Sequence, residues 1–164
     1  MKKAVFLDRD GVIIMEEGHY NYLAGHIVFV DGIVEALTEL KKAGYIFIVI
    51  TNQAGIAKRL YTHKDVRFLH QIIKDFFKSF NITITDFFYC PHHETISHCI
   101  CRKPDSLMLE KAIAFHNIDR DKSFFVGDSD RDVEAGMKAG VKSFKIKANS
   151  DLLEELKQHA LDFI

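Results

Sequence analysis

Apolar stretches alternate along the chain with segments in which apolar residues recur at helical spacing. The apolar stretches predict five β-strands, which cover Ala4 to Leu7, Tyr45 to Ile50, Phe87 to Tyr89, Phe124 to Val126 and Val141 to Ile146. The first four show no polar alternation, as is typical of parallel strands that helices cover on both faces. The last alternates polar and apolar side chains, so we expect it to lie half exposed at an edge of the sheet.

Five helices are predicted from the segments with helical spacing. They cover Ile33 to Gly44, a segment that follows Thr62, a segment that follows Pro104, Asp132 to Ala139, and Asp151 to His159. Strands that alternate with helices predict an α/β fold with a mainly parallel sheet and helices on both faces.

Residues 11 to 30 match neither a strand nor a helix, and they contain Gly11, Gly18 and Gly25. We expect them to form a flap or hairpin beside the end of the first strand. No insertion is long enough for a separate cap domain. We therefore expect one domain over residues 1 to 164, with an open site that is walled by loops.

Composition and charge narrow the classes of function. The chain has 164 residues, of which 48% are hydrophobic, and its 22 Lys and Arg against 23 Asp and Glu give a net charge of -1. This balance does not favour a nucleic-acid partner or an anionic membrane surface. The apolar run before Asp8 is too short for a signal peptide, and no run approaches the length of a membrane span. We expect a cytoplasmic monomer.

Polar residues that suit phosphoryl transfer stand at the ends of successive predicted elements. They are Asp8 and Asp10 after the first strand, Thr51, Asn52 and Gln53 after the second, Lys103 before the third helix, and Asp128 after the fourth strand. The carboxyl ends of parallel strands meet at one edge of a sheet, where α/β folds bind ligands. Each group alone is equally typical of a polar turn or a helix N-terminus. Together they favour a site where one carboxylate attacks phosphorus and another handles the proton.

Four segments resemble the motifs of the haloacid dehalogenase-like phosphatases. They are Phe6 to Gly11, Thr51 to Gln53, Lys103-Pro104, and Gly127-Asp128 with Asp132. The resemblance spans nearly the whole chain. It implies a Rossmann-like domain with strand order 3-2-1-4-5 and no cap.

The resemblance also implies a magnesium-dependent phosphomonoester hydrolase. Asp8 would be the nucleophile that forms an aspartyl-phosphate, and Asp10 would act as general acid and then as base. Thr51 and Lys103 would bind the transferring phosphoryl group. Magnesium would be held by the carboxylates of Asp8 and Asp128 and by the backbone carbonyl of Asp10.

All three cysteines of the chain cluster with histidines between residues 90 and 101. Three thiolates and one imidazole are typical of a structural tetrahedral zinc site, and free thiols are the alternative. The residues alone leave His92, His93 and His98 open as the imidazole. The spacing resembles the zinc loop, here residues 90 to 103, of capless phosphatases that act on heptose bisphosphate or histidinol phosphate. That resemblance implies the ligands Cys90, His92, Cys99 and Cys101.

The substrate of such a site would be a small phosphorylated metabolite. Residues 51 to 59 resemble the heptose branch, which serves lipopolysaccharide synthesis, whereas the short loop between His92 and Cys99 is closer to the histidinol-phosphate branch of histidine synthesis. We favour the heptose branch. The candidate substrate-binding residues are Asn52, Gln53, Arg102, Lys58 and Arg59. Lys58 and Arg59 are equally typical of a solvated loop, and Ser129 replaces the basic residue that is usual after the metal-binding aspartate.

Two other classes of function are disfavoured. A polynucleotide 3'-phosphatase would be expected to carry a basic groove, which the net charge does not support. A metabolite-binding relative without catalysis would be expected to lack at least one of Asp8, Asp10, Lys103 and Asp128, and all are present.

Overall fold

Five parallel strands form one sheet, in the order β3-β2-β1-β4-β5. The computed structural model describes residues 1–159. The strands are β1 (Ala4–Leu7), β2 (Ile46–Asn52), β3 (Ile84–Cys90), β4 (Phe124–Gly127) and β5 (Lys142–Lys145). This architecture confirms the predicted α/β fold and the predicted strand order.

The helices connect successive strands or follow the last one. They are α1 (Ile33–Lys42), α2 (His63–Ser79), α3 (Leu107–His116), α4 (Asp130–Lys138) and α5 (Leu152–Gln158). The start of α2 is fixed by a capping box, in which Thr62 and Asp65 satisfy each other's backbone N–H groups. None of the helices within residues 1–159 is long and apolar enough to cross a membrane.

The two faces of the sheet are buried against different helices. Alternate residues of β1 point to opposite faces, so Leu7 packs in one cluster with Leu37 of α1, whereas Phe6 packs in the other with Leu109 of α3. All four residues of β1 are 0% exposed, which explains why the strand is continuously apolar. The predicted half exposure of the last strand is also confirmed, since β5 pairs with β4 alone and buries Phe144.

The opposite edge strand, β3, is longer than the prediction. The prediction covered Phe87 to Tyr89, but the strand begins at Ile84 and includes Thr85 and Asp86. These polar residues interrupt the apolar run, and they are tolerated because an edge strand has one side free of pairing. Asp86 pairs there with His116 of α3, at 3.0 Å.

The predicted flap is a loop whose two ends pair with each other. Met15 donates a backbone hydrogen bond to Val28, and Val30 donates one to Ile13. Between them lies a single short 3₁₀ helix, Ala24–His26. The flap therefore leaves β1 and returns to α1 at the carboxyl edge of the sheet.

Candidate active site

The carboxyl edge of the sheet carries a cavity of about 260 Å³. Eight of the predicted site residues line it, namely Asp8, Asp10, Thr51, Asn52, Gln53, Arg102, Lys103 and Asp128. The cavity thus brings together residues that lie as much as 120 positions apart, from 8 to 128 in the chain. Lys58 and Arg59 are exposed and do not line it, and Lys58 instead lies 5.5 Å from the ring centre of Tyr20.

Two glycines allow the loops around this cavity to approach closely. Gly11 adopts a φ of +81°, and a Cβ atom there would lie 2.3 Å from an oxygen of Asp128. A Cβ atom at Gly127 would lie 2.2 Å from the Cβ of Asp132. Side chains at these positions would push the carboxylates away from the ends of β1 and β4.

Lys103 is the buried cation of the site and is 3% exposed. Its Nζ lies 2.9 Å from Asp8 Oδ1 and 2.6 Å from Asp132 Oδ1, and it donates to the carbonyl of Ile50. Burial by itself would lower the pKa of Lys103, but the two carboxylates outweigh it and raise the pKa above its usual value. The side chain of Asn52 fixes the backbone of Lys103 through two hydrogen bonds of 3.0 Å.

Asp132 is a site residue that the sequence analysis placed in the motif that starts at Gly127 and at a helix N-terminus, but without a role in the site. It lies in the first turn of α4, and Ser129 donates its backbone N–H and its hydroxyl to Asp132 Oδ2. The other oxygen pairs with Lys103, and the side chain is 1% exposed. The signal that could have identified it was its place in the motif that starts at Gly127.

The carboxylates of Asp8 and Asp128 carry negative charge that the protein only partly compensates. Burial raises the pKa of Asp8 to about 8 against the opposing effect of Lys103, and Asp132 adds to the rise. Burial, with Asp132 and Glu16, raises the pKa of Asp128 to about 6. A bound cation would relieve this cost, since it favours the ionised forms.

A divalent cation also suits the geometry and chemistry of these groups. Asp8, Asp128 and Asp132 each offer an oxygen, and these oxygens lie within 4.8 Å of one another. Carboxylate oxygens are the ligands that Mg²⁺ prefers. Both oxygens of Asp132 are already engaged, Oδ1 by Lys103 and Oδ2 by Ser129, whereas Lys103 pairs with only Oδ1 of Asp8, so Asp8 and Asp128 are the better donors.

A second cluster of ligand atoms lies in the loop after β3. Single atoms of Cys90, His92, Cys99 and Cys101 all lie within 4.8 Å of one another. The sulfur of Cys90 is 3.7 Å from that of Cys99 and 3.2 Å from that of Cys101, and His92 Nδ1 is 3.6 Å from Cys90 Sγ. Ligands on a tetrahedral zinc with Zn–S of about 2.3 Å and Zn–N of about 2.0 Å lie roughly 3.5 to 3.8 Å apart. The cluster therefore has close to the dimensions of a zinc site.

The two rival histidines lie outside this cluster. His93 Nδ1 is 2.8 Å from the hydroxyl of Thr95, and His93 also lines the cavity at the carboxyl edge of the sheet. His98 borders a smaller depression with Cys99 and Lys103.

Several residues that line the cavity at the carboxyl edge of the sheet had no predicted role in it. They include Arg9, Glu16, His19, Tyr20, Asn21, Tyr61, His93 and Arg131. Most of them lie in the flap or on loops, where the sequence carries no periodic signal. Arg131 could have been noticed as a basic residue close to Ser129.

The chain is similar to known proteins over nearly its whole length. Residues 12–146 match the family model described as haloacid dehalogenase-like hydrolase. The D-glycero-beta-D-manno-heptose-1,7-bisphosphate 7-phosphatase of Pasteurella multocida is 36% identical, over 98% of this chain and 90% of the relative. The enzyme of the same name from Haemophilus influenzae is 38% identical, over 87% of this chain and 79% of the relative.

A solved structure shows the same similarity in three dimensions. It is the D,D-heptose 1,7-bisphosphate phosphatase from B. bronchiseptica, complexed with magnesium and phosphate. The two structures superpose with a TM-score of 0.83 and 26% identity, over 95% of this chain and 86% of the other.

Proposed function

Because the chain belongs to the haloacid dehalogenase-like hydrolase family, we propose that it is a magnesium-dependent phosphatase that removes the 7-phosphate of D-glycero-D-manno-heptose 1,7-bisphosphate. The observation that carries the proposal is the pairing of a buried lysine with a carboxylate at the floor of the cavity. Lys103 Nζ lies 2.9 Å from Asp8 Oδ1, and Asp128 lies beside them. A carboxylate beside a buried ammonium group can attack a phosphate because the lysine offsets part of the negative charge of both groups.

The proposed reaction has two steps on Asp8. In the first, a carboxylate oxygen of Asp8 attacks phosphorus, and the sugar oxygen leaves with a proton from Asp10. In the second, Asp10 takes a proton from the water that attacks the aspartyl-phosphate, and inorganic phosphate and Asp8 are released. Thr51 and Lys103 would bind the oxygens of the phosphoryl group.

Magnesium would be held by the carboxylates of Asp8 and Asp128 and by the backbone carbonyl of Asp10. When bound, it would offset the negative charges that otherwise keep the Asp8 carboxylate from the phosphate. The raised pKa values of Asp8 and Asp128 support this assignment, since they indicate two carboxylates that lack a sufficient cation.

Zinc would be held by Cys90, His92, Cys99 and Cys101 and would have a structural role. Cys101 immediately precedes Arg102 and Lys103, so the metal would fix the backbone that carries two cations of the cavity. The hydrogen bond from Arg102 Nη1 to the carbonyl of His92, at 3.3 Å, supports this link between loop and cavity.

The similarity to the 7-phosphatases favours the heptose branch over histidinol phosphate. A bisphosphate needs cations for the phosphate that does not react, and Arg102 and Arg131 both line the cavity. Lys58 and Arg59 are less suitable because their side chains lie outside it. Asn52 and Gln53 are occupied by Lys103 and Asp10, so we assign them to holding catalytic groups in position.

The proposal is tested by magnesium-dependent release of phosphate from three substrates. These are heptose 1,7-bisphosphate, histidinol phosphate and a 3'-phosphorylated oligonucleotide. We expect the highest kcat/KM with the heptose bisphosphate, and we expect Asp8→Asn to lower kcat by roughly four orders of magnitude. A higher kcat/KM with histidinol phosphate or with the oligonucleotide would contradict the proposed substrate. Full turnover by Asp8→Asn would contradict the covalent mechanism.

A further inference from the structure

The side chain of Asp10 is held by four hydrogen-bond donors. Oδ1 accepts from Arg9 Nη2 at 3.1 Å and from Asn21 Nδ2 at 2.7 Å. Oδ2 accepts from Arg9 Nε and from Gln53 Nε2, each at 3.1 Å. A carboxylate offers about four lone-pair sites, so these donors fix the plane and the position of ionised Asp10, and the proton that Asp10 delivers as an acid would take the place of one of them.

Arg9 connects these donors to one another. It is 1% exposed although it lies between two aspartates in the sequence, and its Nη2 also donates to Gln53 Oε1 at 3.0 Å and to the carbonyl of Asn21 at 2.9 Å. A buried guanidinium keeps its planar fork in one orientation. Arg9 therefore connects the loop after β1, the flap and the loop after β2 through hydrogen bonds around Asp10.

The amide of Gln53 has one satisfactory orientation. Its Oε1 accepts from Arg9 and, at 2.9 Å, from the hydroxyl of Tyr61. Its Nε2 donates to Asp10 and, at 2.9 Å, to the hydroxyl of Thr51. Reversing the amide would set the NH₂ group against the donors of Arg9 and Tyr61, which makes the present orientation the favourable one.

Tyr61 also forms the surface on which the flap docks. Its ring stacks on Tyr22 with centroids 5.2 Å apart and meets Tyr20 edge-on at 5.9 Å. Asn21 lies between these two tyrosines in the sequence and is 8% exposed. The packing of both neighbours on Tyr61 thus carries the amide of Asn21 to Asp10.

We propose that Arg9, Asn21, Gln53 and Tyr61 are positioning residues that hold Asp10 for proton transfer to the leaving oxygen, and that docking of the flap on Tyr61 completes this arrangement. The inference rests on the proposed role of Asp10 as general acid. A proton donor must keep its oxygen within hydrogen-bond reach of the leaving group. Loss of one holding residue would let Asp10 turn or shift, and misplacement by about 1 Å can lower the rate about a hundredfold.

The test compares two leaving groups in the metal-loaded enzyme. Heptose bisphosphate releases an alkoxide that needs a proton, whereas p-nitrophenyl phosphate releases an anion that is stable without one. The value of kcat/KM reports the step in which the leaving group departs. For Gln53→Glu, which sets a second carboxylate against Asp10, and for Asn21→Ala we expect kcat/KM to fall roughly 10- to 100-fold with the sugar phosphate and less than about threefold with p-nitrophenyl phosphate.

Tyr61→Phe keeps the docking ring and removes only the hydroxyl, so it should give a smaller change in the same direction. The matched control is Tyr89→Phe, which also loses a bonded hydroxyl, at 2.9 Å from His63, but outside the cavity. The ratio of kcat/KM for the sugar phosphate to kcat/KM for p-nitrophenyl phosphate should be the same in the control and in the wild type.

The inference would be contradicted if kcat/KM fell equally with both substrates, or if it fell in none of the three variants. If the wild-type enzyme proved to prefer another alkyl phosphate, the proposed substrate would fail, and the same comparison made with that ester would still test the role of these four residues.

Discussion

At the residue scale, the site depends on one buried lysine that serves two carboxylates. Lys103 lies 2.9 Å from the proposed nucleophile, Asp8, and 2.6 Å from Asp132. Removing one partner of a buried ion pair leaves the other uncompensated, which is costly. The position of Lys103 relative to Asp8 should therefore be sensitive to Asp132.

The substitution Asp132→Asn tests this dependence. It preserves the shape of the side chain but removes the charge that holds Lys103, so we expect kcat to fall by about ten- to a hundredfold. The control is Asp130→Asn, since Asp130 lies in the same first turn of α4 but is 91% exposed and pairs with Lys145. Steady-state kinetics of both variants would measure the effect, and equal kcat values in the two would contradict it.

The residues that sequence reasoning found and missed differ in a physical respect. Asp8 and Asp128 were identified because each follows a strand, and Lys103 because it precedes a helix, in all three cases an element whose apolar pattern is clear. Arg9 and Tyr61 were missed because their roles depend on burial beneath the flap. From the sequence alone, an arginine between two aspartates is expected to be a surface residue. Neither periodicity nor charge along the chain records such tertiary contacts.

At the element scale, the loop between β3 and α3 connects the cysteine cluster to the cavity. Cys101 and Lys103 are two positions apart, and Asn52 at the end of β2 holds the backbone of Lys103. The loop is thus anchored at one end by the sheet and, in our proposal, at the other end by zinc. The spacing of cysteines and histidines predicted this cluster, and the resemblance to a zinc loop implied His92 as the imidazole. In the structure, His92 lies with the three cysteines and His93 and His98 do not.

The substitution Cys101→Ser should lower both zinc content and turnover. A zinc site that loses one of four ligands binds metal more weakly, and the backbone before Lys103 then loses its tether. Metal analysis of the purified variant, together with its kcat, would measure both effects. Unchanged zinc stoichiometry would contradict the ligand assignment, and His98→Ala should retain the metal as the control.

At the scale of the whole molecule, the parallel sheet gathers acidic groups at one edge and buries them. Folding raises the pKa of Asp8 to about 8 and of Asp128 to about 6, from a usual value of 3.8. At a pH between the usual pKa of 3.8 and the raised pKa of each carboxyl, the folded chain binds more protons than the unfolded chain. The stability that these carboxyls contribute is therefore full below about pH 4 and is lost as the pH rises through 6 and 8.

Magnesium should reverse this loss, because it binds the ionised carboxylates in competition with protons. We expect added Mg²⁺ to raise Tm more at pH 8 than at pH 5. Thermal unfolding at both pH values would measure the difference, with Asp128→Asn as the variant in which the magnesium-induced shift should shrink. Equal shifts of wild type at the two pH values would contradict a site built from these carboxylates.

The fold class was predictable because strands that are covered on both faces have a clear apolar pattern, whereas the strand order was implied by the resemblance of four motifs to a known family. The flap was predictable only as a region without regular structure. Its docking depends on aromatic contacts between Tyr20, Tyr22 and Tyr61, which lie about forty positions apart in sequence and carry no shared pattern.

The stereochemical course at phosphorus is the most direct test of whether the reaction passes through an aspartyl-phosphate on Asp8. A heptose 1-phosphate 7-thiophosphate, whose 7-phosphorus is made chiral by sulfur and two oxygen isotopes, would be hydrolysed in water labelled with the third oxygen isotope. Attack by Asp8 and then by water are two in-line displacements, each with inversion, so we predict net retention in the released inorganic thiophosphate. Net inversion would mean that water attacks the substrate directly, and it would contradict an aspartyl-phosphate on Asp8.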